Sequence, residues 1–110
     1  MIIPDLVGLN IGTENWGNNP DDFWIVVQAD IGPNNGKGSE TFTFNVTSPK
    51  RLSLLLQESS IEIGRGLLIM EDYNIRKIES SIAKLIENCI ANTWYEVVLL
   101  LTRYSYWEYE

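Results

Sequence analysis

Two segments of alternating apolar and polar residues, 23–31 and 41–47, constrain the fold of this chain more than any other feature. Apolar side chains occupy every second position of the first segment, and Phe42 and Phe44 alternate with threonine and asparagine in the second. A period of two is typical of strands that bury one face. Residues 32–38 between them are rich in glycine and asparagine, which accept the positive φ angles of turns. The pattern therefore predicts an antiparallel hairpin.

Helices are predicted from capping signals and from apolar residues at helical spacing. Ser48 caps well and Pro49 fits a first helical position, so a helix is expected to begin there. Thr93 and Glu96 have the spacing of a capping box, in which the glutamate reaches back toward the threonine. The apolar stripe over 75–89 predicts an amphipathic helix, and its last member, Cys89, a buried structural thiol.

Three further segments are predicted to be strands. Residues 6–11 alternate around Val7, Leu9 and Ile11, the run 67–70 is apolar on both faces as in an interior strand, and the tail 104–110 is aromatic and alternating. The order of elements indicates the α+β class and a single domain over residues 1–110. We expect a largely antiparallel sheet of about five strands with about three helices packed on one face.

The composition excludes several kinds of active site. The chain has no histidine, so histidine triads, Cys–His pairs and histidine metal sites are absent. Its single cysteine excludes an internal disulfide and a multi-cysteine metal cluster. A phosphate-binding loop does not fit, because Gly32 and Gly36 are separated by three residues where the motif needs four. We therefore expect neither a cofactor nor a bound metal.

The charge balance restricts the choice of partners. The chain has 8 basic and 15 acidic side chains, a formal net charge of −7. This charge repels nucleic acid and anionic membranes, and it fits a basic protein partner. If the acids of the first 36 residues share a surface, they would steer such a partner; the alternative is that they only maintain solubility. That stretch has no lysine or arginine, and its acids are Asp5, Glu14, Asp21, Asp22 and Asp30.

No segment indicates export or membrane insertion. The first 12 residues lack a basic region and are interrupted by Pro4 and Asp5, unlike a secretory signal. The longest all-aliphatic run, 97–101, has five residues, far fewer than a membrane span needs. We expect a cytoplasmic protein that needs no oxidising compartment.

A series of short motifs supplies a family resemblance. The most specific are Thr93-Trp94-Tyr95-Glu96 and Trp107-Glu108-Tyr109. The others are Pro20-Asp21-Asp22-Phe23, Gly32-Pro33, Glu40-Thr41-Phe42, Ser48-Pro49-Lys50 and Gly64-Arg65-Gly66-Leu67-Leu68-Ile69. In this order and spacing, from about residue 5 to the end, the chain resembles the immunity protein 8 family of bacterial polymorphic toxin systems.

The resemblance implies an inhibitor rather than an enzyme. Such proteins protect the producing cell by binding the toxic C-terminal domain delivered by sibling cells, as in contact-dependent inhibition. The toxin is often a nuclease with a basic cleft, which an acidic protein is suited to occlude. The resemblance transfers no binding residues, so charge and expected exposure select the candidates. These are Asp21, Asp22, Trp24, Asp30, Glu71, Asp72, Glu108 and Glu110.

Two other functions remain open from the residues alone. Four tryptophans and five tyrosines could stack on sugars, and the pairs Asp21–Asp22 and Glu71–Asp72 could serve a carbohydrate-binding or carbohydrate-cleaving module. Against this, acidic pairs are common at loop ends and helix starts, and aromatic residues such as Trp94 fill the core of small domains. The third possibility is an accessory subunit of a larger complex.

Overall fold

The computed structural model describes residues 1–36 and 38–110. Five strands and three helices follow one another in these residues. They are β1 (Pro4–Trp16), β2 (Phe23–Pro33), β3 (Glu40–Thr47), α1 (Pro49–Ser59), β4 (Leu67–Ile69), α2 (Ile75–Ile86), α3 (Trp94–Leu101) and β5 (Tyr106–Trp107).

The predicted hairpin is confirmed and forms the middle of the sheet. β2 and β3 pair antiparallel, from Trp24 opposite Thr47 to Ile31 opposite Glu40. β1 adds antiparallel to the other side of β2. Along the edge that faces away from β2, β3 pairs with β5 antiparallel and with β4 parallel. The sheet is therefore mostly antiparallel, with one parallel pair. Lys37, in the predicted hairpin loop, lies outside the described residues.

β1 is longer and less regular than the sequence predicts. Its register against β2 shifts between Leu6 and Gly8 and again between Ile11 and Glu14, which marks two bulges. Val7 lies in the first bulge and is 64% exposed, whereas Leu6 and Leu9 pack against the core. Leu9 and Ile11 lie on one face as predicted, opposite the buried Ala29 and Val27. The prediction is wrong for Val7 alone, because a bulge reverses the side to which the following residues point.

The core lies between one face of the β2–β3 hairpin and the helices α2 and α3. The buried face of each strand meets the apolar stripe of each helix, and burial of a large side chain contributes about 1.5–3 kcal/mol. Cys89 is fully buried, as predicted, and burial raises the pKa of its thiol. The other core residues are Phe23, Ile25, Val27, Ala29, Ile31, Phe42, Phe44, Val46, Ile78, Ile82, Ile86, Val97, Val98 and Leu101.

The expectation that all helices pack on one face is wrong for α1. This helix has no buried residue, because α2 and α3 already cover the core face. Its start is instead joined to the start of β2. The Ser48 hydroxyl oxygen accepts from the backbone N–H groups of Arg51 and Phe23, both at 3.1 Å. The predicted cap at Ser48 is thus confirmed, and it fixes α1 at one end of the sheet.

The capping box of α3 is confirmed with one difference. The Thr93 hydroxyl oxygen accepts from the Glu96 N–H at 3.1 Å. The Glu96 carboxylate accepts from that same hydroxyl at 3.0 Å, rather than from the backbone N–H of Thr93. Trp94, the first residue of the helix, packs edge-on against Phe42 as a partly buried neighbour of the core. The box therefore positions the indole as well as the helix.

The two short strands differ from their predictions. β4 is an edge strand rather than an interior one, since it pairs with β3 alone and Ile69 is 57% exposed. In the tail, only Tyr106 and Trp107 form a strand. Gly66, just before β4, has φ of 77°, and a Cβ there would lie 2.8 Å from the Tyr106 ring. A glycine is therefore needed where β4 and β5 meet.

Candidate interaction surface

The sheet has a second face that points away from α2 and α3. Because side chains alternate along a strand, the neighbours of the buried hairpin residues all point to this side. Except for Val26 they are polar or aromatic; most are half-buried, and Gln28 at the centre is exposed. We call this surface the open sheet face, formed by Asn10, Trp24, Val26, Gln28, Asp30, Thr41, Thr43, Asn45 and Tyr106.

Two carboxylates flank Thr41 at one end of the open sheet face. Asp30 accepts from the Thr41 hydroxyl at 3.1 Å and from the Asn10 amide at 3.3 Å. Glu108 accepts from the Thr41 backbone N–H and donates its own N–H to the Thr41 carbonyl at 3.0 Å. The backbone hydrogen bond lowers the pKa of Glu108, so this group stays ionised at neutral pH. Asp30 and Glu108, both on the list of candidates selected by charge, thus lie on either side of Thr41.

Trp24 lies at the opposite end of the open sheet face. Its indole N–H donates to the Asn45 side-chain oxygen at 3.2 Å, which holds the ring over the sheet. Beside it is a groove of about 490 Å³ between the sheet and α1. The Trp24 indole beside this concave surface can contact an inserted partner side chain, and tryptophan is enriched at such contact centres. The groove is lined by Asn15, Trp16, Trp24, Arg51, Leu55 and Glu62.

Asp21 and Asp22 have different environments although they are adjacent. Asp22 is only 7% exposed, and its carboxylate lies 2.6 Å from the Arg51 Nε. Asp21 is exposed and lies 3.5 Å from the Lys50 Nζ. The expectation that Asp22 is an exposed surface acid is therefore wrong, because it joins the loop before β2 to the first turn of α1. Asp21 remains at the surface.

The three remaining candidates lie outside the open sheet face. Glu71 and Asp72 are exposed in the segment before α2, whose cap is Asn74. Glu110 is paired with Arg65 and accepts from the Trp107 N–H at 2.8 Å. The backbone hydrogen bond, together with Arg65, lowers the pKa of Glu110. The predicted residues therefore do not form one site: the open sheet face includes Trp24 and Asp30, with Glu108 at its border.

The acids of the first 36 residues do not share one surface either. Asp5 lies opposite Gly32, on the same face of the sheet as Asp30, whereas Asp22 is buried. Glu14 is opposite the buried Ile25, on the core side, and accepts from the Trp16 indole at 3.2 Å. The acids of this stretch therefore do not form a single negative surface. Asp5 and Asp30 share a face of the sheet, and Asp30 lies near Glu108 of the C-terminal tail, since both accept from Thr41.

Sequence reasoning missed an exposed apolar stretch between α1 and β4. Ile61 and Ile63 are 77% and 82% exposed, and Ile69 in β4 follows them. Leu54 and Leu56 at the surface of α1 are also exposed. Exposed apolar residues of this size can contribute to protein contacts. Periodicity alone could not identify them, because it treats every apolar residue as a candidate for the core.

Two negative observations concern the described parts of the chain. Across residues 1–36 and 38–110, no three histidine, cysteine, aspartate or glutamate side chains are placed so that they could hold a metal ion. The longest helix there has 12 residues, and none of the described helices combines the length and apolar character needed to cross a membrane.

The comparisons with known proteins identify the family. The family model of immunity protein 8 matches residues 8–110. Comparison with curated proteins and with solved structures found no match. The matched region includes all five strands except the first residues of β1, and all three helices of the described residues. The chain therefore belongs to the immunity protein 8 family, which implies that it is an immunity protein with a toxin protein as its partner.

Proposed function

We propose that this chain binds the toxic C-terminal domain of a cognate bacterial polymorphic toxin in the cytoplasm of the producing cell and neutralises it without catalysis of its own. Family membership supplies the class of partner. The single observation that supports a particular binding surface for the toxin domain is the open sheet face. There the carboxylate of Asp30 and the indole of Trp24 are fixed by hydrogen bonds within the same two-strand hairpin.

The charge of the chain supports a basic nuclease as the toxin. A cleft that binds RNA or DNA is positively charged, and a protein of net charge −7 is attracted to it. Asp30 and Glu108 would contact the rim of that cleft, while the groove beside Trp24 receives an apolar or aromatic side chain. Occlusion of the active site or of the substrate cleft would then inhibit the toxin.

The size of the chain is sufficient for such a complex. A standard interface takes about 800 Å² from each partner. This is roughly an eighth of the 6803 Å² accessible surface of the described residues. The open sheet face, its acidic end and the groove together extend along the hairpin, so an interface of standard size can include all three.

The observations favour the inhibitor over a carbohydrate-cleaving module. A glycosidase needs two carboxyl groups facing a common cleft about 5–9.5 Å apart. In the pair Asp21–Asp22, one member is buried against Arg51 and the other is exposed beside Lys50. This arrangement stabilises the fold and leaves no pair of free carboxylates at that position. No observation in the described residues favours an accessory-subunit function.

The proposed function is tested by co-expression with the toxin domain encoded immediately upstream of the chain. We expect the chain to restore growth, and the two proteins to elute together from a sizing column. Purified chain, added at equimolar concentration, should also abolish cleavage of RNA or DNA by the toxin domain. Killing in the presence of soluble chain, with no co-elution, would contradict the proposal. A complex that still cleaves nucleic acid would refute occlusion while preserving binding.

A further inference from the structure

β1 forms one border of the sheet, and its outer edge is open. Within the described residues, every backbone–backbone hydrogen bond of residues 5–16 belongs to the ladder with β2. From Asn10 to Trp16 all seven residues are exposed. An edge of this kind presents a row of N–H and C=O groups that can pair with another extended chain.

The sequence of β1 lacks the basic residues that commonly protect an open edge. Lysine on the edge commonly prevents unwanted pairing, and β1 contains neither lysine nor arginine. Its one proline, Pro4, is the first residue of the strand and leaves the remainder able to pair. The two bulges divide the edge into short regular stretches, residues 8–11 and 14–16 among them. A partner strand must form hydrogen bonds with these separate stretches and accommodate the bulges between them. The edge is therefore selective for particular strands.

We propose that the outer edge of β1 receives an extended, lysine- or arginine-rich segment of the toxin domain as an additional antiparallel or parallel strand; this inference rests on the proposed function. The charges of β1, Asp5 and Glu14, are both negative. A basic segment is therefore attracted to the edge, and main-chain hydrogen bonds then supply the affinity. A second copy of this chain fits poorly, because pairing of two β1 strands would combine four carboxylates with no cation between them.

The position of Gly8 extends this argument to the open sheet face. Gly8 lies opposite Asp30, and a Cβ at Gly8 would lie 3.6 Å from the Asp30 Oδ2. No side chain at this position therefore shields the carboxylate from the edge. An added strand would lie about 9.6 Å from β2, two strand spacings away. A lysine or arginine on that strand can extend across Gly8 to Asp30, so strand addition and the acidic end of the open sheet face would bind the same partner segment.

Hydrogen exchange of the chain alone and in complex with the toxin domain tests this directly. We expect amides in residues 8–16 to exchange at least about tenfold more slowly in the complex, because strand addition engages backbone N–H groups. A complex that forms but leaves exchange of residues 8–16 unchanged would overturn the inference while the proposed function stands. If no complex forms, both are refuted. Protection of residues 8–16 in the chain alone at high concentration would show self-pairing and also refute it.

A lysine placed on the edge provides an independent test. Thr13 is exposed in the second bulge, and the test variant is Thr13→Lys. The matched control is Ser80→Lys on the exposed surface of α2. We expect Thr13→Lys to weaken toxin binding about five- to tenfold, because a lysine on the edge opposes a basic strand. Ser80→Lys should change affinity less than about twofold. Equal affinities of the two variants, both folded by circular dichroism, would overturn the inference.

Discussion

The two faces of the β2–β3 hairpin are built from alternate residues of the same strands, and they are stabilised in different ways. On the core face, Phe44 and its neighbours are fully excluded from water by α2 and α3. On the open sheet face, Trp24 and Asp30 are held by side-chain hydrogen bonds to β3 and remain partly accessible. Burial on the core face stabilises the fold. The partly accessible side chains of the open sheet face are available to contact a partner protein without unfolding of the chain.

The largest expected effect is on the core face. Replacement of Phe44 by alanine should lower the free energy of unfolding by about 3–5 kcal/mol, because it removes a fully buried aromatic ring and leaves a cavity. Gln28→Ala on the open sheet face should change it by less than about 0.5 kcal/mol. Urea denaturation followed by tryptophan fluorescence measures both. Similar losses for the two variants would show that the open sheet face is also part of the stabilising core.

A smaller difference in the free energy of unfolding is expected between variants of the adjacent residues Asp21 and Asp22. Asp22→Ala should cost about 2 kcal/mol of stability, because it leaves Arg51 without its close carboxylate in a largely buried site. Asp21→Ala should cost less than about 0.5 kcal/mol, since its pair with Lys50 is exposed. The same denaturation experiment measures both. A larger loss for Asp21→Ala would reverse our assignment of the two carboxylates.

The smallest effect concerns the pH dependence of the tail. Hydrogen bonds from Thr41 hold the pKa of Glu108 below its ordinary value of 4.5. The stabilisation from this group is therefore fully present above pH 4.5 and is lost as the pH falls through the lowered pKa. We expect the fluorescence of Trp107, monitored in a variant with the other tryptophans replaced, to change on acidification below that pH. Glu108→Gln should remove part of this change, and the control Glu58→Gln should preserve it.

Local features of the fold could be predicted from the sequence. The hairpin follows from alternation in the two segments that became β2 and β3, and the caps at Ser48 and Thr93 follow from residue type and spacing. These signals depend on residues close together in the chain. The buried position of Cys89 is also predictable, because it continues the apolar stripe of α2.

Features set by contacts between distant segments were not predictable. The bulges of β1 depend on its register against β2, and the edge position of β4 depends on which strands pair with β3. Periodicity likewise cannot show that α1 lies outside the core face.

The candidate site was only partly predictable for the same reason. The position of Trp24 and Asp30 on the open sheet face could be predicted, because both lie on the polar side of an alternating strand. Asp21 and Asp22 are indistinguishable in sequence, and only the position of Arg51 in α1 separates their environments. That the outer edge of β1 is open follows only from the sheet topology, in which β1 pairs with β2 alone.

The central claim is that the toxin binds to the open sheet face. Its most direct test is calorimetric titration of the toxin domain with Trp24→Ala/Asp30→Ala, compared with the control Tyr95→Ala/Glu79→Ala on the exposed surfaces of α3 and α2. Both double variants remove one aromatic ring and one carboxylate. We predict that the first weakens binding by about thirtyfold or more and that the control stays within about threefold of the parent chain. Unchanged affinity of the folded Trp24→Ala/Asp30→Ala variant would contradict the account.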